Sequence, residues 1–259
     1  MTTQSKPQAR LVLPELLALR GNAAEFPENS LPALRSALDL GVCHVLFDVQ
    51  LSMDRQPILL RDANLRRTAG IDRDALQMTS QELAGVVANE TQRFQDRFTD
   101  VGIPTLAQAV GILGTHPAVT AFVQIERASL RAFGHEVVVH KVCETLKPVA
   151  RQCVITSYDL HAVHLVRQMS SQRMGWVLSE YTALSALKCE ALAPDYVICD
   201  HQLLTEHGAR LWRGGWHWIV YDVTSHQQAL ELAARGVGLV GTTEVRRLQR
   251  EFRGLRESA

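Results

Sequence analysis

Apolar runs of four or five residues alternate along the chain with longer stretches whose apolar positions recur every three or four residues. The short runs fall at residues 16–19, 44–48, 121–125, 153–156, 174–178, 196–199, 218–221 and 238–241. Their apolar character is continuous rather than alternating, which is the pattern of parallel strands covered on both faces. The longer stretches, such as 30–40, 130–146, 159–169, 204–212, 225–234 and 244–252, read as amphipathic helices. Eight strands, most followed by a helix, in 259 residues predict an α/β fold, a closed (β/α)8 TIM barrel. The competing doubly wound sheet usually carries a glycine-rich phosphate loop after its first strand. Here Arg20-Gly21-Asn22-Ala23-Ala24 occupies that place.

The alternation lapses once. Residues 61–103 are polar with little strand pattern, and they read as an insertion between the second strand and its helix. Insertions at that end of a barrel shape the mouth. Residues 13–259 are read as one barrel domain behind a flexible N-terminus of residues 1–12. Asn29 or Ser30 caps the first helix, whose Leu31, Leu34 and Leu38 fall at helical spacing. Along the second strand, Val45, Phe47 and Val49 face one way, and His44, Leu46, Asp48 and Gln50 face the barrel interior. A carboxylate at the C-terminal end of a barrel strand stands where barrel chemistry takes place.

Composition narrows the partners. Hydrophobic residues make up 46% and charged residues 21%, enough for a large core. The formal net charge is +0, so no global attraction draws the chain to nucleic acid. Cys43, Cys143, Cys153, Cys189 and Cys199 are scattered without a Cys-x-x-Cys pair, which argues against a disulfide framework or a zinc knuckle. No run of 18 apolar residues is present, so no membrane span is expected. The apolar run 11–19 is broken by Pro14 and Glu15 without a small-residue cleavage site after it, and a cytoplasmic location is the default.

Several short motifs agree in order and spacing. Leu19-Arg20-Gly21, Pro27-Glu28-Asn29, Phe47-Asp48-Val49-Gln50-Leu51, Asp54, Pro57 and the run Arg61-Asp62-Ala63-Asn64-Leu65-Arg66-Arg67-Thr68 resemble the glycerophosphodiester phosphodiesterase family. Ile103-Pro104-Thr105-Leu106, Ser157-Tyr158-Asp159 and Gly236-Val237-Gly238 extend the likeness over nearly the whole chain. The resemblance implies a TIM barrel that hydrolyses lipid-derived glycerophosphodiesters, with two histidines as general acid and base and Ca2+ or Mg2+ held by carboxylates.

This sequence departs from that pattern where the family keeps its chemistry. Leu19 stands for the histidine of His-Arg-Gly, and Arg61 for the histidine of the hairpin His-Asp. Leu46 replaces the glutamate of Glu-x-Asp, leaving Asp48. Ile-Glu-Ile-Lys has become Val123-Gln124-Ile125-Glu126, and a Trp-Thr-Val-Asn pattern has become Tyr221-Asp222-Val223-Thr224. Arg20, Glu28, Asn29, Asp48 and Asp62 match.

A histidine gives and takes a proton near neutrality. Leucine does neither, and arginine stays protonated with no acceptor. Losing one such group costs roughly 10²–10⁴-fold in rate. Hard cations need several anionic oxygens, and of the three family carboxylates Asp48 alone remains, so no metal cofactor is expected.

The favoured expectation is a non-catalytic barrel that binds a small phosphate-containing ligand through Arg20, Glu28, Asn29, Asp48, Arg61, Gln124 and Glu126. Two alternatives stay open. One is a working phosphodiesterase whose acid and base have moved to Asp48, Glu28, Glu126 or Asp222, with Asp200-His201 a further proton-transfer candidate. The other is a structural or partner-binding barrel. An Asp48–Arg61 contact and an Arg20–Glu28 contact are predicted, because an unpaired buried carboxylate is costly. Asp62 is expected to brace the hairpin through local backbone N–H groups. His135, His140, His161 and His164 are read as surface-helix residues, and Trp212, Trp216 and Trp218 as packing.

Overall fold

A computed structural model describes residues 13–206 and 210–257; the proposed flexible segment 1–12 lies outside them. In chain order the first elements are β1 (Glu15–Leu19), α1 (Leu31–Asp39), β2 (His44–Leu51) and β3 (Pro57–Leu59). Then come α2 (Arg66–Ala69), α3 (Ser80–Ala84), α4 (Thr91–Phe94), α5 (Leu106–Gly114) and β4 (Thr120–Ile125). Next are α6 (Arg127–Phe133), α7 (His135–Leu146), β5 (Cys153–Ser157), α8 (Leu160–Met169), β6 (Arg173–Val177) and α9 (Ala183–Leu192). The chain ends with β7 (Tyr196–Asp200), α10 (His201–Glu206), β8 (His217–Tyr221), α11 (His226–Ala234), β9 (Leu239–Thr242) and α12 (Val245–Glu257).

The strands run in the order β1-β9-β8-β7-β6-β5-β4-β2, and a β1–β2 pairing closes the ring. Every pairing within the ring is parallel, which makes a (β/α)8 TIM barrel as the strand count predicts. The register brings Leu17, Leu46, Phe122, Val154, Ile198, Ile219 and Leu239 into one apolar plug inside the barrel. One step nearer the mouth, Asp48, Gln124 and Thr156 stand side by side on β2, β4 and β5. The alternate residues Val45, Phe47 and Val49 belong to the larger core between the barrel and its helices. At the opposite end, His44 pairs with Glu15.

Three elements differ from the expectation. β3 is a short strand antiparallel to β2, and it forms a hairpin that delivers Arg61 to the mouth; three residues are too few to show periodicity. The stretch 130–146 is two helices, because Gly134 takes φ 84 and breaks the hydrogen-bond ladder. In the stretch 204–212, α10 ends at Glu206, residues 210–212 are not helical, and 207–209 lie outside the described residues.

Between β3 and α5 the chain builds a small core of its own from Ile58, Leu60, Leu65, Ala75, Met78, Leu83 and Ile103. This segment also grips the loop after β1. Glu90 accepts from the Glu28 backbone N–H at 2.6 Å, and Arg93 donates to the Ala23 carbonyl at 2.5 Å.

The loop after β1 is held from below by α1. Gly21 has φ +79, and a Cβ there would lie 2.6 Å from the Ala33 carbonyl carbon. Only glycine meets both demands. Gly21→Ala is therefore expected to lower the unfolding free energy by about 1–3 kcal/mol through the backbone conformation alone, with the clash adding to it; chemical denaturation measures the loss.

Candidate functional site

The loop after β1 turns sharply, with Arg20 at φ 57 and Asn29 at φ 55. Ser30 caps α1 by accepting from Ala33 N–H, which frees Asn29 for another task. The Asn29 amide donates to Asp48 Oδ2 at 2.9 Å, and its carbonyl accepts the Asp48 backbone N–H at 2.9 Å. Arg20 Nε donates to the same Asp48 Oδ2 at 3.0 Å. Gln124 Nε2 takes the other oxygen, Oδ1, at 3.1 Å. Asp48 is 1% exposed, so all three donors act in a region nearly free of competing water.

Arg20 continues the network. Its Nη1 lies 3.2 Å from Glu28 Oε2, which fulfils the predicted Arg20–Glu28 contact. Arg67 then grips Glu28 with both terminal nitrogens, at 2.6 and 3.0 Å, and turns its Nε to Asp62 at 2.5 Å. The result is a chain of alternating charges, Asp48–Arg20–Glu28–Arg67–Asp62. Burial works against the Arg20 charge, yet Asp48 and Glu28 together hold its pKa above the usual value. Burial alone would raise the Glu28 carboxyl, but Arg67 and Arg20 hold it below the ordinary carboxylate range.

The predicted Asp48–Arg61 contact does not form, and the cause is local. The left-handed turn at Arg20 swings its guanidinium over the end of β2, where Asn29 and Gln124 fill the remaining positions around Asp48. Among the described residues the Arg61 guanidinium makes no hydrogen bond or ion pair, and Arg61 stands exposed at the rim. Asp62 meets Arg67 rather than local backbone N–H groups, because the helical turn of α2 brings Arg67 alongside.

Leu19, Arg20, Leu46, Asp48, Arg61, Gln124, Glu126, Asp200 and Asp222 line one cavity of about 430 Å³ at the mouth. Glu28 and Asn29 stand behind it and hold Arg20 and Asp48. His201 is not among the lining residues, and Asp200 uses one oxygen to accept from Gln202 N–H. His135 pairs with Asp159 at 3.2 Å and stacks near His161, away from this cavity. Trp212 and Trp218 pack with Tyr181.

Glu126 follows the end of β4. Gln124 Nε2 donates to its Oε1 at 2.7 Å, so one amide nitrogen bridges Glu126 and Asp48. Burial, and then the nearby Asp48 charge, push the Glu126 carboxyl up to about 7.

Three features of the mouth escaped the sequence reading. Arg127, one residue after Glu126, lies 5.2 Å from the centre of the Tyr158 ring and donates to the Tyr158 carbonyl at 3.2 Å. The Tyr158 and Tyr221 hydroxyls meet at 2.8 Å. Gln50 sits at the rim rather than inside the barrel. Its amide donates to the Arg61 carbonyl at 2.7 Å and accepts from the Ser129 N–H and hydroxyl at 3.1 and 2.6 Å. The one signal for Arg127 was its place two residues after a strand end.

Residues 20–243 match the glycerophosphoryl diester phosphodiesterase family. Among curated proteins, human glycerophosphodiester phosphodiesterase 1 is 30% identical over 170 residues, covering 63% of this chain and 47% of the relative. The chain thus spans about half the length of that relative. Among solved structures, an Oleispira antarctica phosphodiesterase in complex with the product sn-glycerol-3-phosphate superposes with a TM-score of 0.79 at 21% identity, over 92% of this chain and 96% of that one. A glycerophosphoryl diester phosphodiesterase structure from Silicibacter pomeroyi gives 0.77 at 17% identity, over 93% of each chain. At these identities the two structures speak for the fold.

Two outcomes follow from the geometry. Gln50 is 1% exposed, and Gln50→Leu strands the Arg61 carbonyl and the Ser129 donors, at an expected cost of about 1–3 kcal/mol by denaturation. Glu126 has a folded pKa near 7 against 4.5 for the free group. Its neutral form is the one the fold accommodates, so its contribution is intact below about 4.5 and is lost as pH rises through about 7. Glu126→Gln should remove that dependence, raising Tm at pH 8 by on the order of a few °C and leaving it nearly unchanged at pH 4.5.

Proposed function

The chain belongs to the glycerophosphoryl diester phosphodiesterase family, and from that premise we propose that it binds a phosphate-bearing ligand at the barrel mouth without hydrolysing it. One observation carries the reading: the groups around the cavity can hold an anion but are not equipped to exchange its protons at neutral pH in the family manner. Leu19 and Arg61 occupy the two histidine positions of the resemblance, and both line the cavity. Among the described residues no histidine lines the cavity.

A resident divalent cation does not fit this donor set. Calcium takes six to eight oxygens and magnesium six, and both favour anionic ones. Asp48 already spends Oδ2 on Arg20 and Asn29 and Oδ1 on Gln124. Leu46 supplies no oxygen, and among the described residues no group of three or more His, Cys, Asp or Glu side chains is arranged to hold a metal. Arg61 adds a fixed positive charge at the rim.

What remains suits an anion. Guanidinium groups recognise phosphate through paired N–H donors, and the Arg61 guanidinium lines the cavity without a hydrogen bond or close ion pair among the described residues, although its charge is felt by Glu28, Glu126 and Asp222. Among the described residues no helix is long and apolar enough to cross a membrane.

A second reading rests on Glu126. A carboxyl with a pKa near 7 inside the cavity has the proton affinity of a general acid or base. That reading makes the chain a working hydrolase with a relocated proton-transfer group.

A hydrolysis assay on glycerophosphocholine with added Ca2+ or Mg2+ separates the two. The binding reading expects no turnover above the no-protein control, together with saturable binding of sn-glycerol 3-phosphate by calorimetry. Turnover that disappears in both Asp48→Ala and Glu126→Gln would establish the hydrolase instead.

A further inference from the structure

We infer that the anion taken at the mouth is held between Arg61 and Arg127, and that Arg20, the arginine retained from the family motif, is not its ligand. This rests on the proposed binding function and names the groups that perform it.

Arg20 is committed. Its Nε and Nη1 are bound to Asp48 and Glu28, and it is one of two arginines in a chain that already holds three carboxylates. Its Nη2 makes no hydrogen bond among the described residues, so Arg20 offers an anion one nitrogen at most, and a paired grip through Nε or Nη1 would leave Asp48 or Glu28 without its cation. Arg67 is committed in the same way, to Glu28 and Asp62.

Arg61 and Arg127 differ on each count. Both line the cavity, and neither has a carboxylate partner among the described residues. Arg127 is steadied by the Tyr158 ring and carbonyl through one nitrogen, which leaves further N–H donors for a ligand. Arg61 keeps its full donor set. The backbones that carry them are tied by one buried side chain: Gln50 grips the Arg61 carbonyl with one end of its amide and Ser129, on the helix that begins at Arg127, with the other. Two guanidinium groups are thus carried on a braced backbone, so that binding has to order the Arg61 side chain but not the segments that carry the pair.

The arrangement also accounts for Glu126. The resemblance puts a lysine at this position, and the carboxylate here reverses that charge. Arg127 restores a cation one residue further on, at the start of α6. The positive end of the site has moved outward, away from the Asp48 network and towards Tyr158.

Calorimetric titration of the full chain with inorganic phosphate and with sn-glycerol 3-phosphate tests this. Arg61→Ala and Arg127→Ala should each weaken binding at least ten-fold, with partial recovery in Arg61→Lys and Arg127→Lys. Arg250→Ala, on the exposed side of α12, should bind as wild type. Arg20→Lys, which keeps the charge facing Asp48 and Glu28, should lose less than three-fold. Wild-type binding that survives both alanine variants but fails in Arg20→Lys, with circular dichroism unchanged, would overturn the assignment while the binding function stands. A wild type that binds neither probe would overturn both.

Discussion

The pairing of Arg20 with Asp48 governs the mouth of this barrel. A carboxylate 1% exposed at the end of β2 must be compensated, and an arginine from the neighbouring strand end supplies the opposite charge. Much of the surrounding architecture serves that pairing. Gly21 permits the close turn against α1, Ser30 takes the helix cap so that Asn29 is free, and Glu28 balances the arginine from its far side. The segment between β3 and α5 completes the arrangement, with Arg67 on Glu28 and Glu90 on the Glu28 backbone.

Charge in the site is therefore layered. Deep in the mouth, opposite charges are matched at close range in a protected environment, where they are strongly coupled. At the rim, Arg61 and Arg127 stand without carboxylate partners among the described residues. Glu126 lies between the two layers, and its elevated pKa reports that position: it is close enough to Asp48 to be penalised and buried enough to lack relief from water.

The barrel was readable from the chain because its strands are covered on both faces and write themselves as unbroken apolar runs. All eight ring strands lie where those runs fall. Gly134 hid a helix break, since a single glycine in an amphipathic stretch carries no length or phase. At the site, the residue types were readable and their partners were not. Asp48 was expected to meet Arg61 because a buried carboxylate needs a partner and the adjoining hairpin carries one, but the choice among Arg20, Arg61 and Arg67 depends on the left-handed turn at Arg20. That turn has no sequence signature in a non-glycine residue. Gln50 read as an inward strand position, yet at the last turn of the barrel it reaches hairpin and helix instead.

The amide nitrogen of Gln124, shared by Asp48 and Glu126, makes two carboxyl groups answer to one donor. A glutamate at that position would set three carboxyl groups together and remove the donor that two of them share. The mouth is thus interdependent: a single change at position 124 would be felt at once by Asp48 and by Glu126.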